Sequence, residues 1–393
     1  MKILSVNAGS SSLKFKLYEM PEEKGLISGV FEKIGLKDSF YTIKKGEEKV
    51  KKEVELKDHE VAFKILMEEL IENGVISSLN EIKGVGHRIV QGGSYFDQSV
   101  EVDEDVIKKI DELSSLAPLH NPAAIVGIKA AQTVIPDAKH VTVFDTAFHQ
   151  TMEEENYLYA VPYNWYTDYK VRRYGAHGTS HKYVSLKMNE ILGRYNTKLI
   201  TCHIGNGASI SAVVDGKCIN TSMGLTPNAG LIMGTRCGDI DATIIPYIME
   251  KLNLSPKEVD TFMNKESGLL GISGVSSDSR DIEDGINHGN ERCALAQKMF
   301  VKRIVDYIAK YYVEMGGCDG IVFTAGIGEN SVSTRREVLD SLKILGIEID
   351  EEKNKVRGET VCITTPNSSI PCYVIPTDEE LMISRDTYNI IER

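Results

Sequence analysis

The sequence predicts an α/β protein of two domains built on a repeated unit, and three observations lead there. The first is one construction made twice: an apolar strand, a tight turn of Gly, Asn and Ser, and a second strand. Ile3-Leu4-Ser5-Val6 runs into Asn7-Ala8-Gly9-Ser10-Ser11-Ser12 and out through Leu13-Lys14-Phe15-Lys16-Leu17. Leu199-Ile200-Thr201-Cys202 runs into His203-Ile204-Gly205-Asn206-Gly207-Ala208-Ser209 and out through Ile210-Ser211-Ala212-Val213-Val214. Gly9 and Gly207 fall at matching places, and with no Cβ in the way such turns let N–H groups and hydroxyls approach an anion. The second observation is length, since 393 residues exceed a typical single core. The third is the strand 320–324 entering Ala325-Gly326-Ile327-Gly328-Glu329-Asn330, a phosphate-cradling context. Two phosphate-type hairpins imply a duplicated fold with nucleotide between the halves.

Composition bounds the function. Hydrophobic residues make up 42% and charged ones 26%, which argues against disorder. No apolar run reaches the roughly 18 residues of a membrane span, and 3–6 is too short for a secretory core, so a cytoplasmic location is expected. The 7 cysteines form no C-x-x-C pair, which suits reduced thiols. A net charge of -12 argues against general nucleic-acid binding, yet screening within about 10 Å leaves room for a local phosphate site built from a few placed cations, dipoles and a metal.

Along the chain, Leu13, Phe15 and Leu17 alternate with Lys14 and Lys16, which puts Lys14 beside the first turn. Residues 44–57 read as a solvated hairpin or loop, and 61–73 as a helix ending at Gly74. The strand 141–145 ends on Asp145, at the carboxyl end where α/β proteins bind ligands. A helix is predicted over 301–315 from the stripe Val301, Ile304, Val305, Ile308, Tyr312, stopping at Gly316-Gly317. Thr377-Asp378-Glu379-Glu380 reads as a capping box that starts the final helix.

Phosphoryl transfer needs charge neutralisation and positioning more than covalent chemistry. Gly234-Thr235-Arg236-Cys237-Gly238-Asp239-Ile240-Asp241 suits a guanidinium aimed at a small anion, or a turn with a surface salt bridge. Arg88 is an ordinary strand-end ion-pair partner taken alone; with Arg236 it offers two planar forks for a carboxylate and a phosphoryl group. His177 and His181 have i, i+4 spacing, but the intervening glycine and missing glutamate make a zinc hydrolase a poor reading. His177 is either charge-stabilising or structural, and His203 either holds its loop or touches a phosphate. Asp145 and Glu379 are candidate magnesium ligands, since Mg²⁺ takes one or two carboxylates with waters and substrate phosphates. The alternative reading of Glu379 is that it only complements the helix N-terminus.

These stretches, with Leu116-Ala117-Pro118-Leu119-His120-Asn121-Pro122, Phe144-Asp145-Thr146-Ala147-Phe148-His149-Gln150 and Arg172-Arg173-Tyr174-Gly175, make the chain resemble the acetate kinase family along nearly its whole length. The resemblance implies the acetate and sugar kinase, Hsp70 and actin superfold, with two RNase H-like domains around an interdomain cleft. Expected domains are 1–148 with 381–393 on the acetate and metal side, and 149–380 on the nucleotide and dimer side. It implies a homodimer and the reversible reaction of acetate and ATP to acetyl phosphate and ADP, with Mg²⁺ or Mn²⁺. Alternatives are a propionate or other short-chain acyl kinase and, in another class, an ATP-gated switch of the actin or Hsp70 kind; against the switch, little chain follows Glu379.

By the same resemblance, Arg88 and Arg236 bind the carboxylate and the phosphoryl in flight, and His177 stabilises that charge. Asp145 is the essential acid; because acetate is already ionised at neutral pH, it is expected to orient and support rather than act as a base. Asn7 and Glu379 hold magnesium, and Lys14 reaches ATP phosphate. His203, Ile204, Gly205, Asn206 and Gly207, with Asp278, Ser279, Arg280 and Gly326, Ile327, Gly328, Glu329, Asn330, line the nucleotide. Val90, Leu119, Ala176 and Pro227 form the acyl pocket. Ala176 stands where the family usually has Phe, which is expected to widen that pocket toward propionate. Gln91 replaces a usual His, Asp378 a usual Asn and Ala242 a usual Pro.

Overall fold

A computed structural model describes residues 1–393 and divides into two compact units, Met1–Gln150 with Asp378–Arg393, and Thr151–Thr377. The first unit contains β1 (Lys2–Gly9), β2 (Ser12–Glu19), β3 (Lys24–Glu32), β4 (Phe40–Lys45), β5 (Glu48–Glu53), β6 (Ile82–Ile89), β7 (Val100–Glu101) and β8 (Lys139–Phe144). They form one sheet in the order β5-β4-β3-β2-β1-β6-β8-β7. The second unit contains β9 (Lys198–Ile204), β10 (Ala208–Val214), β11 (Lys217–Thr221), β12 (Gly320–Thr324), β13 (Val361–Cys362) and β14 (Cys372–Val374), ordered β11-β10-β9-β12-β14-β13.

Within each sheet five strands repeat one plan. β3-β2-β1-β6-β8 and β11-β10-β9-β12-β14 both begin with three antiparallel strands and continue with two parallel to the central one. The two glycine turns occupy equivalent places, between β1 and β2 and between β9 and β10. This is the RNase H-like arrangement of the actin, Hsp70 and sugar kinase superfold, made twice.

Alternation in β2 buries Leu13, Phe15 and Leu17 and turns Lys14 and Lys16 outward. β4 and β5 make the predicted solvated hairpin, with every residue of β5 exposed. The helix His59–Glu72 starts at Asp58, whose side chain accepts from the Val61 N–H. The long helix of the second unit is Glu291–Glu314, beginning ten residues before the predicted start. Cys293, Ala296 and Phe300 extend the buried stripe, and Asn290 caps it by accepting from the Arg292 and Cys293 N–H groups. The final helix Glu379–Ile391 is capped by Asp378 rather than Thr377: the Asp378 carboxylate accepts from the Leu381 N–H at 3.0 Å, while Thr377 turns back to Ser180.

Candidate active site

In the first unit, β6 shows Gly84, Gly86 and Arg88 on one face by strand alternation. A Cβ on Gly84 would lie 2.3 Å from Ile391 Cδ1, and one on Gly86 2.4 Å from Thr387 Oγ1, so glycine lets the final helix lie directly on the strand. Arg88 comes next on that face, at the helix's N-terminal end. Its Nε and Nη2 donate to the two Asp145 carboxylate oxygens at 3.0 and 2.7 Å, the fork geometry that only arginine offers. Asp145 is buried at the end of β8 and Arg88 retains partial exposure. The Asp145 charge holds the guanidinium firmly protonated.

Three acids crowd the start of that helix. Asp378 accepts from Lys16 at 3.0 Å and from the Tyr18 hydroxyl at 2.8 Å, Glu380 pairs with Lys14, and Glu379 stands 3.9 Å from Arg88. Burial raises the Glu379 pKa, and Asp145 and Glu380 add to this against the pull of Arg88 and Lys14. Asn7 lies opposite Lys14 in the β1–β2 register. No three His, Cys, Asp or Glu side chains gather into a closed metal cage. A half-buried carboxylate short of countercharge, with an amide on the strand β1, nevertheless fits Mg²⁺, which keeps most of its shell as water and substrate phosphate. Glu379→Gln is therefore expected to raise the thermal unfolding temperature at neutral pH in metal-free buffer. The raised pKa makes the ionised group a cost above that pKa, which the amide removes. Differential scanning fluorimetry checks it.

In the second unit, the β9–β10 turn is closed by Gly205 N–H donating to Gly207 O at 3.0 Å. Gly234 N–H donates to Asn206 O, tying the arginine loop to this turn. A Cβ on Gly207 would lie 3.4 Å from Arg236 Nη1 and 3.5 Å from His177 Nε2, so hairpin, arginine and histidine converge on one glycine. Arg236 Nη1 donates to Pro227 O at 3.1 Å and the guanidinium has no carboxylate partner; burial lowers its pKa. His177 is held in the left-handed region, φ 59°, at the head of the helix Gly178–Leu192. Its ring stacks on His203 with centroids 4.0 Å apart. The two acids of the arginine loop are structural: Asp239 accepts from Gly230 N–H and Tyr307, and Asp241 from Thr243 N–H.

A cavity of about 620 Å³ opens beside the turn. Of the expected nucleotide residues, Gly205, Asn206, Asp278, Ser279, Arg280, Gly326, Ile327 and Asn330 line it, together with Ser277, Glu283, Ser331 and Arg357. Others are absent from its wall for physical reasons. Ile204 is packed in the core, and His203 bonds Ser180 at 2.8 Å through Nδ1. Gly328 gives its carbonyl to buried Arg335. Glu329 turns back to accept from the Ala325 and Thr377 N–H groups, and Lys14 belongs to the first unit's acid cluster. The residues 325–330 themselves form a short helix rather than an open loop.

Of the expected acyl-pocket residues, Val90 and Leu119 belong to the first unit and Ala176 and Pro227 to the second. Leu119 is 67% exposed, whereas Ala176 is 3% exposed and joins the second unit's hydrophobic core. Gln91 closes the loop after β6: its side chain accepts from Gly93 N–H, and its backbone exchanges two bonds with the fully buried Asn121. Nothing in the motif 116–122 by itself gives Asn121 this role; the Asn-Pro step opening the helix Asn121–Val134 is the signal that marks it. Ser209, Thr201 and Arg335 were also missed, because each acts on residues distant in sequence.

The acetokinase family model matches residues 2–385. The chain belongs to this family. An acetate kinase of Bacillus subtilis (strain 168) is 53% identical over 391 residues, covering 99% of each chain. One of Geobacillus kaustophilus is 54% identical with the same coverage. The crystal structure of Porphyromonas gingivalis acetate kinase matches with a TM-score of 0.95 at 46% identity, over 99% of both chains. A propionate kinase from Francisella tularensis matches with a TM-score of 0.94 at 43% identity, again over 99% of both. In this acetokinase-family chain, Asp378 keeps the helix-capping bond and adds ion pairing with Lys16, which accounts for an acid at that position. No helix is long and apolar enough to cross a membrane.

Proposed function

We propose that this protein transfers the terminal phosphoryl group of ATP to acetate, reversibly and with Mg²⁺, giving acetyl phosphate and ADP. Full-length identity of about half to acetate kinases carries the reading, and the arginines supply its chemistry. A carboxylate oxygen of acetate attacks the γ-phosphorus as the bond to the ADP oxygen breaks. No proton moves, because acetate is already ionised. Asp145 fixes the Arg88 fork for the carboxylate, and Arg236 and His177 donate to the oxygens of the phosphoryl group in flight. Asn7 and Glu379 would hold Mg²⁺, which supplies charge neutralisation at the phosphates. The cavity beside Gly205 and Asn206 receives the nucleotide, phosphates toward the glycine turn.

The deciding experiment is an ATP-dependent hydroxamate assay with acetate, propionate and butyrate in parallel. Acetate-dependent product requiring Mg²⁺ is expected; nucleotide hydrolysis indifferent to all three acids would indicate the switch instead. A propionate preference is the second reading, favoured by alanine at position 176. Ala176→Phe is then expected to raise the acetate-to-propionate ratio, and because the site is packed it should also lower stability by about 1–3 kcal/mol. An unchanged ratio in a folded variant removes the pocket-widening argument.

We also propose a homodimer. The helix Tyr163–Tyr169 leaves Tyr163, Trp165 and Tyr169 exposed at 62%, 46% and 71%, a concentration of aromatic surface that suits a covered face. Sedimentation velocity should give twice the chain mass, and Trp165→Glu with Tyr169→Glu should reduce it.

A further inference from the structure

The reading of His177 as a donor to the phosphoryl group requires a proton on the ring nitrogen that faces Gly207, and a buried network behind the ring supplies the means. Strand alternation and register put Thr201, His203, Ser209 and Ser211 on one face of β9 and β10. The helix Gly178–Leu192 brings His181 to that face one turn after His177. His177 Nδ1 lies 2.9 Å from Ser209 Oγ, Ser209 Oγ lies 2.7 Å from His181 Nε2, and His181 Nδ1 lies 2.7 Å from Thr201 Oγ1. His181, Ser209 and Thr201 are fully buried.

The protons along this chain can be counted. Ser209 has one hydroxyl proton between two imidazole nitrogens, so it donates to one and accepts from the other. The Thr201 hydroxyl has no partner besides His181. A proton on His181 Nδ1 would leave the Thr201 O–H buried without an acceptor, which is unfavourable. The chain therefore runs from Thr201 O–H to His181 Nδ1, from His181 Nε2–H to Ser209, and from Ser209 O–H to His177 Nδ1. The His177 proton is left on Nε2, the atom 3.5 Å from where a Gly207 Cβ would stand, with Arg236 Nη1 3.4 Å from the same point. We infer that Thr201, His181 and Ser209 are positioning residues that fix the tautomer of His177, so that it presents Nε2–H toward the phosphoryl group. The inference rests on the proposed role of His177. Hydrogen bonding at one ring nitrogen deciding the state of the other is the general behaviour of functional histidines.

The test compares Ser209→Ala, Ser209→Thr, His177→Ala and the His177→Ala/Ser209→Ala double variant by kcat and KM, with ¹⁵N NMR of the His177 ring. Ser209→Ala is expected to lower kcat roughly 10-fold with little change in the KM for ATP, as second-layer partners of functional histidines do. The ring signals should shift toward the Nδ1–H form, and Ser209→Thr should restore both. In the His177→Ala background the serine change should have almost no further effect. Thr201→Val, nearly isosteric, takes the place of Ser209→Ala if that variant does not fold, and is expected to move kcat and the ring signals the same way. Normal kcat and an unshifted ring in Ser209→Ala, with His177→Ala slow, overturn the inference. Normal kcat in His177→Ala overturns the proposed role of His177 instead.

Discussion

Arg236→Ala should lower turnover by roughly 10²-fold or more while leaving the thermal unfolding temperature unchanged or slightly raised; Arg88→Ala should lower turnover comparably and also lower that temperature. The two arginines have different proposed targets, Arg88 the carboxylate and Arg236 the phosphoryl group, and different surroundings. Arg236 has no carboxylate partner, and its half-buried charge is already disfavoured by its site. Truncation removes that cost and frees the Pro227 carbonyl, on a partly exposed residue, and the weakly accepting Met233 sulfur. Arg88 instead neutralises Asp145, a carboxylate that is 1% exposed and receives both fork bonds. Removing the guanidinium strands a buried charge, a change that costs about 3–5 kcal/mol. Arg88→Lys separates the effects. The lysine retains a charge near Asp145 but not the fork, so stability should largely return while turnover stays low. Coupled assays of ADP release and scanning fluorimetry on the four proteins decide the matter, and near-normal turnover in both alanine variants would remove the mechanism.

The parts of the fold legible in the sequence are those set by local rules. The strand alternation of Leu13, Phe15 and Leu17 and the glycine turns depend on neighbours a few residues away, and the structure shows them as expected. Within the run 44–57, read as a solvated hairpin or loop, β5 is exposed throughout, while the hairpin begins earlier, at Phe40, where Tyr41 and Ile43 are buried. The cap of the last helix was misread by one residue. Thr377 and Asp378 are both good capping residues, and the choice between them is made by remote groups: Ser180 takes the threonine hydroxyl, while Lys16 and Tyr18 favour the acid. Glu329 was similarly ambiguous. A glutamate in a glycine loop reads as facing ligand, but three donors from Thr324, Ala325 and Thr377 hold its carboxylate inside the protein. The glycines at 84 and 86 carry a signal that only the packed helix explains, since nothing local shows which side chains would fill their space.

Arg335 is the extreme case of a residue without a sequence signature, and Arg335→Ala should lower stability by more than about 4 kcal/mol, enough to leave little folded second unit at 37 °C. Its side chain is 0% exposed, yet no acid pairs with it. The charge is satisfied by oxygens: Nε donates to Asn354 Oδ1 at 2.9 Å, Nη1 to Gly328 O at 3.0 Å, and Nη2 to Asn354 O at 2.5 Å and Val356 O at 2.8 Å. Burial still depresses its pKa to about 10. These four bonds join the short helix Ala325–Asn330 to the segment 354–356, and the cavity draws Gly326, Ile327 and Asn330 from one and Arg357 from just beyond the other. Alanine would leave three carbonyls and an amide oxygen without this donor, around a space too large to collapse easily. Arg335→Lys, with one ammonium for four acceptors, should fold better than alanine and separate a structural role from a nucleotide one. If the pairing shapes the cavity, the lysine variant will show a raised KM for ATP with the KM for acetate little changed. Equal rises in both would mean that Arg335 serves only the core.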